Sequence, residues 1–231
     1  LQGDWSSDVC SSDLINLWKK EDLLSQAWNQ SFEMLGLSHE IFQQAVQYLR
    51  SGENIDTLKA LKKRDQEINE FQREVRRKVL THYAVDQNTT DMADGLILIN
   101  MVVDIERIGD YCKNILDLAI NHSSSIVAEE VSDDLKMIEN EVQKRFQKTL
   151  QALTTQDADI AVSLKDGYRE QMAGKSDNIV NGVLRGELEF GRHSRTAAIT
   201  LYARYLKRIG AHLKNITTTL VNPFDAIGYK E

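Results

Sequence analysis

The sequence predicts an all-α fold built as two tandem three-helix bundles. Three observations carry that reading. Apolar residues recur at a period near 3.6 almost everywhere from Ile15 onward. A single proline, Pro223, leaves long helices unbroken. A nine-residue segment late in the first half of the chain returns 101 residues later. No stretch alternates apolar and polar residues at period two, so no sheet is expected.

The elements follow in order. Residues 1–14, LQGDWSSDVCSSDL, repeat Ser-Ser-Asp without any helical period. They read as a foreign, disordered segment that lies outside the fold. The first helix opens with Leu17, Leu24, Trp28, Phe32 and Leu35, with Trp18 beside them. It bends at Gly36 and Ser38, continues through Ile41, Phe42, Ala45, Val46 and Leu49, and stops at Ser51-Gly52. A second helix runs from about Asn54 to Tyr83 through Leu58, Leu61, Ile68, Phe71, Val75 and Val79. Asp86 to Thr90 form a connector with a helix-capping signal, and a third helix reaches about Ile120. Asn121-His122-Ser123-Ser124-Ser125 is the mid-chain linker, placed between a first bundle, 15–122, and a second, 126–231. Three more helices are expected: about Ser132 to Leu153, Asp157 or Asp159 to Gly186, and Phe190 to Leu220.

Composition narrows the classes of function. The 231 residues carry 28 Lys+Arg against 35 Asp+Glu, a net charge of −7, which argues against a nucleic-acid partner held by bulk charge. The longest uncharged apolar run, Gly95 to Val103, is too short to span a bilayer. No basic-then-apolar leader opens the sequence. Two cysteines, Cys10 and Cys112, make no disulfide framework, which fits a reducing compartment.

The repeat is specific. Arg107-Ile108-Gly109-Asp110-Tyr111-Cys112-Lys113-Asn114-Ile115 aligns with Arg208-Ile209-Gly210-Ala211-His212-Leu213-Lys214-Asn215-Ile216, identical at six of nine positions. The same offset pairs Leu98 with Ile199, Met101 with Tyr202 and Ile105 with Leu206, so the apolar stripes agree in phase. Duplication of a three-helix unit explains this. A glycine inside a helix costs up to about 1 kcal/mol against alanine. Its recurrence as Gly109 and Gly210 points either to close helix approach or to room beside the carboxylates.

Candidate chemistry lies on the repeated helices. Ile105, Ile108, Cys112 and Ile115 form a core stripe. Glu106 and Asp110, four apart, stand one turn apart on a different face, where two carboxylates can share a hard or borderline cation. A solvated acidic face neutralised by Arg107 and Lys113 is the alternative. Asp104 adds a third acid that points elsewhere. The second copy has Lys207 and Ala211 where the first has its acids. Arg204, Lys207, Arg208 and Lys214 then read as a basic face that either contacts an acidic partner or a phosphate, or is simply solvated. No Gly-rich phosphate loop, Ser-His-Asp ordering or Cys-x-x-Cys pattern appears, so no enzyme activity is expected. A carboxylate-and-metal phosphoesterase would lack any clear nucleophile or base beyond the pair.

Asp104-Ile105-Glu106-Arg107-Ile108-Gly109-Asp110, followed by Asn114-Ile115, resembles the signature of the PhoU family of phosphate-uptake regulators. The resemblance extends over nearly everything from Ile15 on, and it implies tandem three-helix bundles. It further implies that divalent or iron-type metal ions are held by Glu106 and Asp110, with Asp104 as a neighbour. Asp65, within Asp65-Gln66-Glu67-Ile68, matches an acid of the family's middle helix. Lys207 and Ala211 depart from the pattern and put a metal in the second half in doubt. The resemblance implies a cytoplasmic protein that touches the membrane only through its partners, the ATPase of a phosphate ABC transporter and a phosphate-sensing histidine kinase. Its long apolar seams also allow homo-oligomers. An accessory domain of a sodium–phosphate or Pit-type permease is the alternative.

Overall fold

Burial in the folded chain follows the apolar period closely. The computed structural model describes residues 22–51, 55–85, 90–122, 131–222 and 224–228. The expectations for residues 1–14, for Trp18 and for most of the mid-chain linker lie outside them. Helix α1 is Leu23–Ser51, α2 Ile55–Lys63, α3 Asp65–Val85 and α4 Met92–Asn121. After the linker come α5 (Ser132–Thr155), α6 (Ala158–Tyr168), α7 (Gly174–Leu184) and α8 (His193–Thr218). Among the described residues there is no strand, and no helix is long and apolar enough to cross a membrane.

Helices α1 to α4 pack together as one bundle and α5 to α8 as a second. The bundles meet where α4 lies on α8 and α1 on α5. All four stripe residues Ile105, Ile108, Cys112 and Ile115 are fully buried. So are the register mates Leu98 and Ile199, and Ile105 and Leu206. A buried side chain of this size stabilises the fold by about 1.5–3 kcal/mol. The buried residues of both bundles form one continuous core. On the α1–α5 side Phe146 stacks against His39 at 4.7 Å and tilts against Phe42 at 5.5 Å. Glu139 of α5 accepts hydrogen bonds there from Arg50 and, at 2.7 Å, from the Tyr202 hydroxyl.

The first helix continues through Gly36 and Ser38 as expected, and the Ser38 hydroxyl donates to the Met34 carbonyl at 2.9 Å within it. The two middle helices, expected to be continuous, are corrected. The middle helix of the first bundle does break, at Arg64, so that Asp65 opens α3. The middle helix of the second bundle is interrupted too: a five-residue π-helical turn, Arg169–Ala173, joins α6 to α7. Asp157 caps α6 as the sequence suggested, its side chain accepting from the Ile160 N–H at 3.0 Å.

Both interruptions sit opposite the repeated glycines. A Cβ on Gly109 would meet Ile68 Cδ1 at 2.8 Å, with Asp65 Oδ1 at 3.7 Å. A Cβ on Gly210 would collide with Met172 and come within 3.3 Å of Tyr168. Of the two explanations for the glycines, close helix approach is the one the packing supports: the last helix of each bundle gives up a side chain where the middle helix crosses it.

Gly36 and Gly109 should therefore respond oppositely to alanine. Gly36 has nothing within 4 Å of a built Cβ, so Gly36→Ala should stabilise by up to about 1 kcal/mol. Gly109→Ala forces Ile68 aside and should destabilise by about 1–3 kcal/mol. Urea unfolding midpoints at unchanged slope measure both. Equal shifts would remove the packing explanation for Gly109.

Candidate functional site

Each bundle presents a groove between its middle helix and its last helix, and the two grooves differ in charge. In the first, α4 supplies Glu106 and Asp110 and the start of α3 supplies Asp65. Asp65 is 7% exposed. It accepts from Lys113 Nζ at 2.9 Å and from the Asn69 amide at 3.4 Å. Arg107 lies beside both α4 acids, 3.7 Å from Glu106 and 3.3 Å from Asp110. Burial pushes the Glu106 carboxyl above its ordinary value, and the charges of Asp110 and Asp65 push the same way, against Arg107. Lys113 is held protonated more firmly than usual, chiefly by its hydrogen bond to Asp65. Glu106 thus feels the negative charges of both Asp110 and Asp65, and Arg107 and Lys113 offset that repulsion. Among the described residues no three Asp, Glu, His or Cys side chains converge as a metal-ligand set.

Asp104 does not belong with these acids, contrary to the expectation of a neighbouring ligand. Two positions from Glu106 on a helix, it turns toward the other bundle. Its Oδ1 accepts from His212 Nδ1 at 2.6 Å and from the Asn215 amide at 3.3 Å, both on α8. His212 is 8% exposed. Arg208 donates toward His212 Nε2 at 3.5 Å and to the Tyr111 hydroxyl at 3.1 Å. The tautomer with its hydrogen on Nδ1 satisfies both contacts of the ring.

This seam was not legible as a site in the sequence, though its signal was there. Tyr111 and His212 occupy the same repeat position, and they stack on each other with centroids 5.8 Å apart. Asp104 and Tyr205 are register mates as well. Asp104 meets His212 while Tyr205 meets Tyr111, centroids 5.9 Å apart. Exchanging the repeats turns one contact into the other, so α4 and α8 join as the two halves of a twofold dimer interface would.

The four cations expected to form one basic face on α8 are divided among different neighbours. Lys207 Nζ lies 2.6 Å from both Asp177 oxygens on α7. Lys214 donates to the Gly228 carbonyl at 3.2 Å and sits 6.0 Å from the Tyr168 ring centre. Arg208 faces the first bundle. Arg204 is exposed. The cause is that α8 is packed on both flanks, by α4 on one side and by α6 and α7 on the other. Cations one turn apart therefore reach different partners.

A duplicated all-α chain with an acidic groove in one bundle and a basic groove in the other is what fold and sites define. Residues 32–119 match the family described as PhoU domain. The chain is 26% identical over 159 residues to the phosphate-specific transport system accessory protein PhoU homolog of Pseudomonas aeruginosa; the match covers 68% of this chain and 65% of the relative, just under two thirds of its length. The crystal structure of PhoU from Pseudomonas aeruginosa superposes with a TM-score of 0.77 at 24% identity, covering 86% of this chain and 95% of that one. The phosphate transport system regulatory protein PhoU from Streptococcus pneumoniae gives 0.71 at 18% identity, covering 86% and 93%. These likenesses extend the PhoU fold over both bundles.

The seam gives a test of its own. Asp104→Ala leaves His212 and Asn215 without their acceptor and should cost about 1–3 kcal/mol. Asp104→Asn keeps an acceptor oxygen and should cost clearly less. Chemical denaturation of both variants measures this, and equal losses would show that the charge matters and the acceptor does not.

Proposed function

We propose that this protein regulates phosphate transport and phosphate-starvation signalling, acting through protein–protein contacts without a covalent step. The observation that carries the reading is the match of residues 32–119 to the PhoU domain, together with the likeness of both bundles to the fold of solved PhoU structures. The curated relative is named as an accessory protein of a phosphate-specific transport system. By that kinship the partners are the ATPase of a phosphate ABC transporter and a phosphate-sensing histidine kinase. The protein works in the cytoplasm and reaches the membrane through them. Its contact with an acidic partner surface centres on Arg204, the exposed cation of α8, because Lys207 is already paired with Asp177. Such a contact mainly speeds encounter, and salt screens it over about 8–10 Å. Capture of the purified ATPase and kinase by the full chain tests the proposal. Binding should weaken as salt rises, and Arg204→Glu should bind several-fold more weakly at low salt. Failure to capture either partner at low salt overturns it.

The acidic groove of the first bundle is proposed to receive a divalent cation through Glu106 and Asp110, with Asp65 as the third acid. The support is that these residues fall within the match to the PhoU domain and that the Glu106 carboxyl feels the negative charges of Asp110 and Asp65. Arg107 and Lys113 are the competitors such an ion displaces. Titrating the full chain with Mn²⁺ or Zn²⁺ should show binding that Glu106→Ala with Asp110→Ala abolishes, with helical content retained. Lys113→Met should tighten it several-fold. Unchanged stoichiometry in the double variant refutes the assignment.

A further inference from the structure

The groove of the second bundle opens into a pocket of about 440 Å³ between α6, α7, the π-helical turn and α8. Four cations line it, Lys165, Arg169, Lys207 and Lys214, against two carboxylates, Asp166 and Asp177. We propose that this pocket binds a dianionic tetrahedral oxyanion, phosphate or a phosphate monoester.

Charge is the first argument. The lining is positive by two in a chain whose net charge is −7. A concave site of one sign raises the local concentration of the opposite ion. Phosphate carries close to two negative charges at neutral pH, with a second pKa near 6. It balances the lining, whereas a lone carboxylate leaves a surplus. The donors suit it too. Arg169 offers a planar fork and the three lysines offer point charges that adapt to a tetrahedral ligand. The volume falls within the range of small-molecule sites, about 300–1,000 Å³, and leaves space for an organic substituent beside the half-buried Tyr168 ring.

Position is the second argument. Lys207 and Lys214 stand where the first bundle has Glu106 and Lys113, so the pocket is the counterpart of the acidic groove with its charge inverted. It lies at the π-helical turn, which places Arg169 at its wall. Such turns are frequent at functional sites.

The third argument is the ion pair already inside. Both Asp177 oxygens lie 2.6 Å from Lys207 Nζ, so an internal carboxylate takes up the cation that an incoming anion would use. Asp177 is a competitor, and removing its charge should strengthen binding. A nonspecifically basic surface would not single out this residue.

Isothermal titration of the full chain at fixed ionic strength, with inorganic phosphate and with glycerol 3-phosphate, tests the proposal. Wild-type protein should bind at least one of them. Tighter binding of free phosphate identifies the inorganic ion as the ligand, and tighter binding of the ester identifies an organic phosphate. Arg169→Ala and Lys214→Met should each weaken binding at least fivefold, and Asp177→Asn should tighten it several-fold. Arg77→Glu, at an exposed position of α3 in the first bundle, should leave it nearly unchanged. Absence of binding to both probes overturns the proposal, as does an Asp177→Asn variant that binds no better than wild type. The proposal stands apart from the regulatory reading, because titration with the two probes reads oxyanion binding in the absence of the ATPase and the kinase.

Discussion

Helices α4 and α8 each touch the other helices of their own bundle and also one another, so the seam between them fixes where the remaining six helices can lie. That seam rests on matched apolar stripes, with Ile105 and Leu206, and Ile108 and Ile209, buried at equal depth. At its polar edge one hydrogen-bonded pair, Asp104 with His212, stands where the repeat-related contact is aromatic, Tyr205 with Tyr111. Each helix also carries the repeated glycine, Gly109 or Gly210, on the flank that faces its own middle helix. There the missing Cβ brings Ile68 or Met172 against the backbone. The cost of glycine inside a helix is offset by that closer packing, and it is incurred twice because the unit was used twice.

The two copies share a scaffold and differ in their grooves. Replacing Glu106 by Lys207 in the other copy, and Asp110 by Ala211, changes groove chemistry while sparing the core, because these positions point away from the stripe. The first groove concentrates negative charge, relieved by Arg107 and Lys113. The second concentrates positive charge, partly relieved by Asp177. Duplication lets one surface diverge while the packed seam stays intact.

The fold was legible in the sequence because periodicity reports which face of a helix is buried. It predicted all four residues of the α4 stripe and the register of the repeat. It said less about neighbours. The break at Arg64 falls where a buried charged residue, Asp65, interrupts the apolar line of Leu58, Leu61 and Ile68. A helical-period count passes over a single turn of that kind. The π-helical turn at Arg169–Ala173 leaves an even weaker trace, since one extra residue per turn barely shifts the pattern. The same limit hid what Asp104 meets once it points away from the pair, and how the α8 cations are divided among their neighbours. Helix geometry gives the direction of a side chain, and the identity of what it meets depends on packing between segments about a hundred residues apart.

That separation bears on how the chain reaches its native state. Contacts within the first bundle join residues up to 74 positions apart, as Ser38 and Cys112 are, whereas the α4–α8 seam joins residues such as Asp104 and His212, 108 positions apart. Closing so long a loop is entropically unfavourable before its contacts form, and folding slows as the mean separation of contacting residues grows. Each three-helix unit is thus expected to organise early and the seam late. Because the two seam surfaces are near copies, α4 of one molecule can also meet α8 of another during that interval. Intermolecular exchange of halves is then the characteristic misassembly of this architecture, favoured at high protein concentration during refolding.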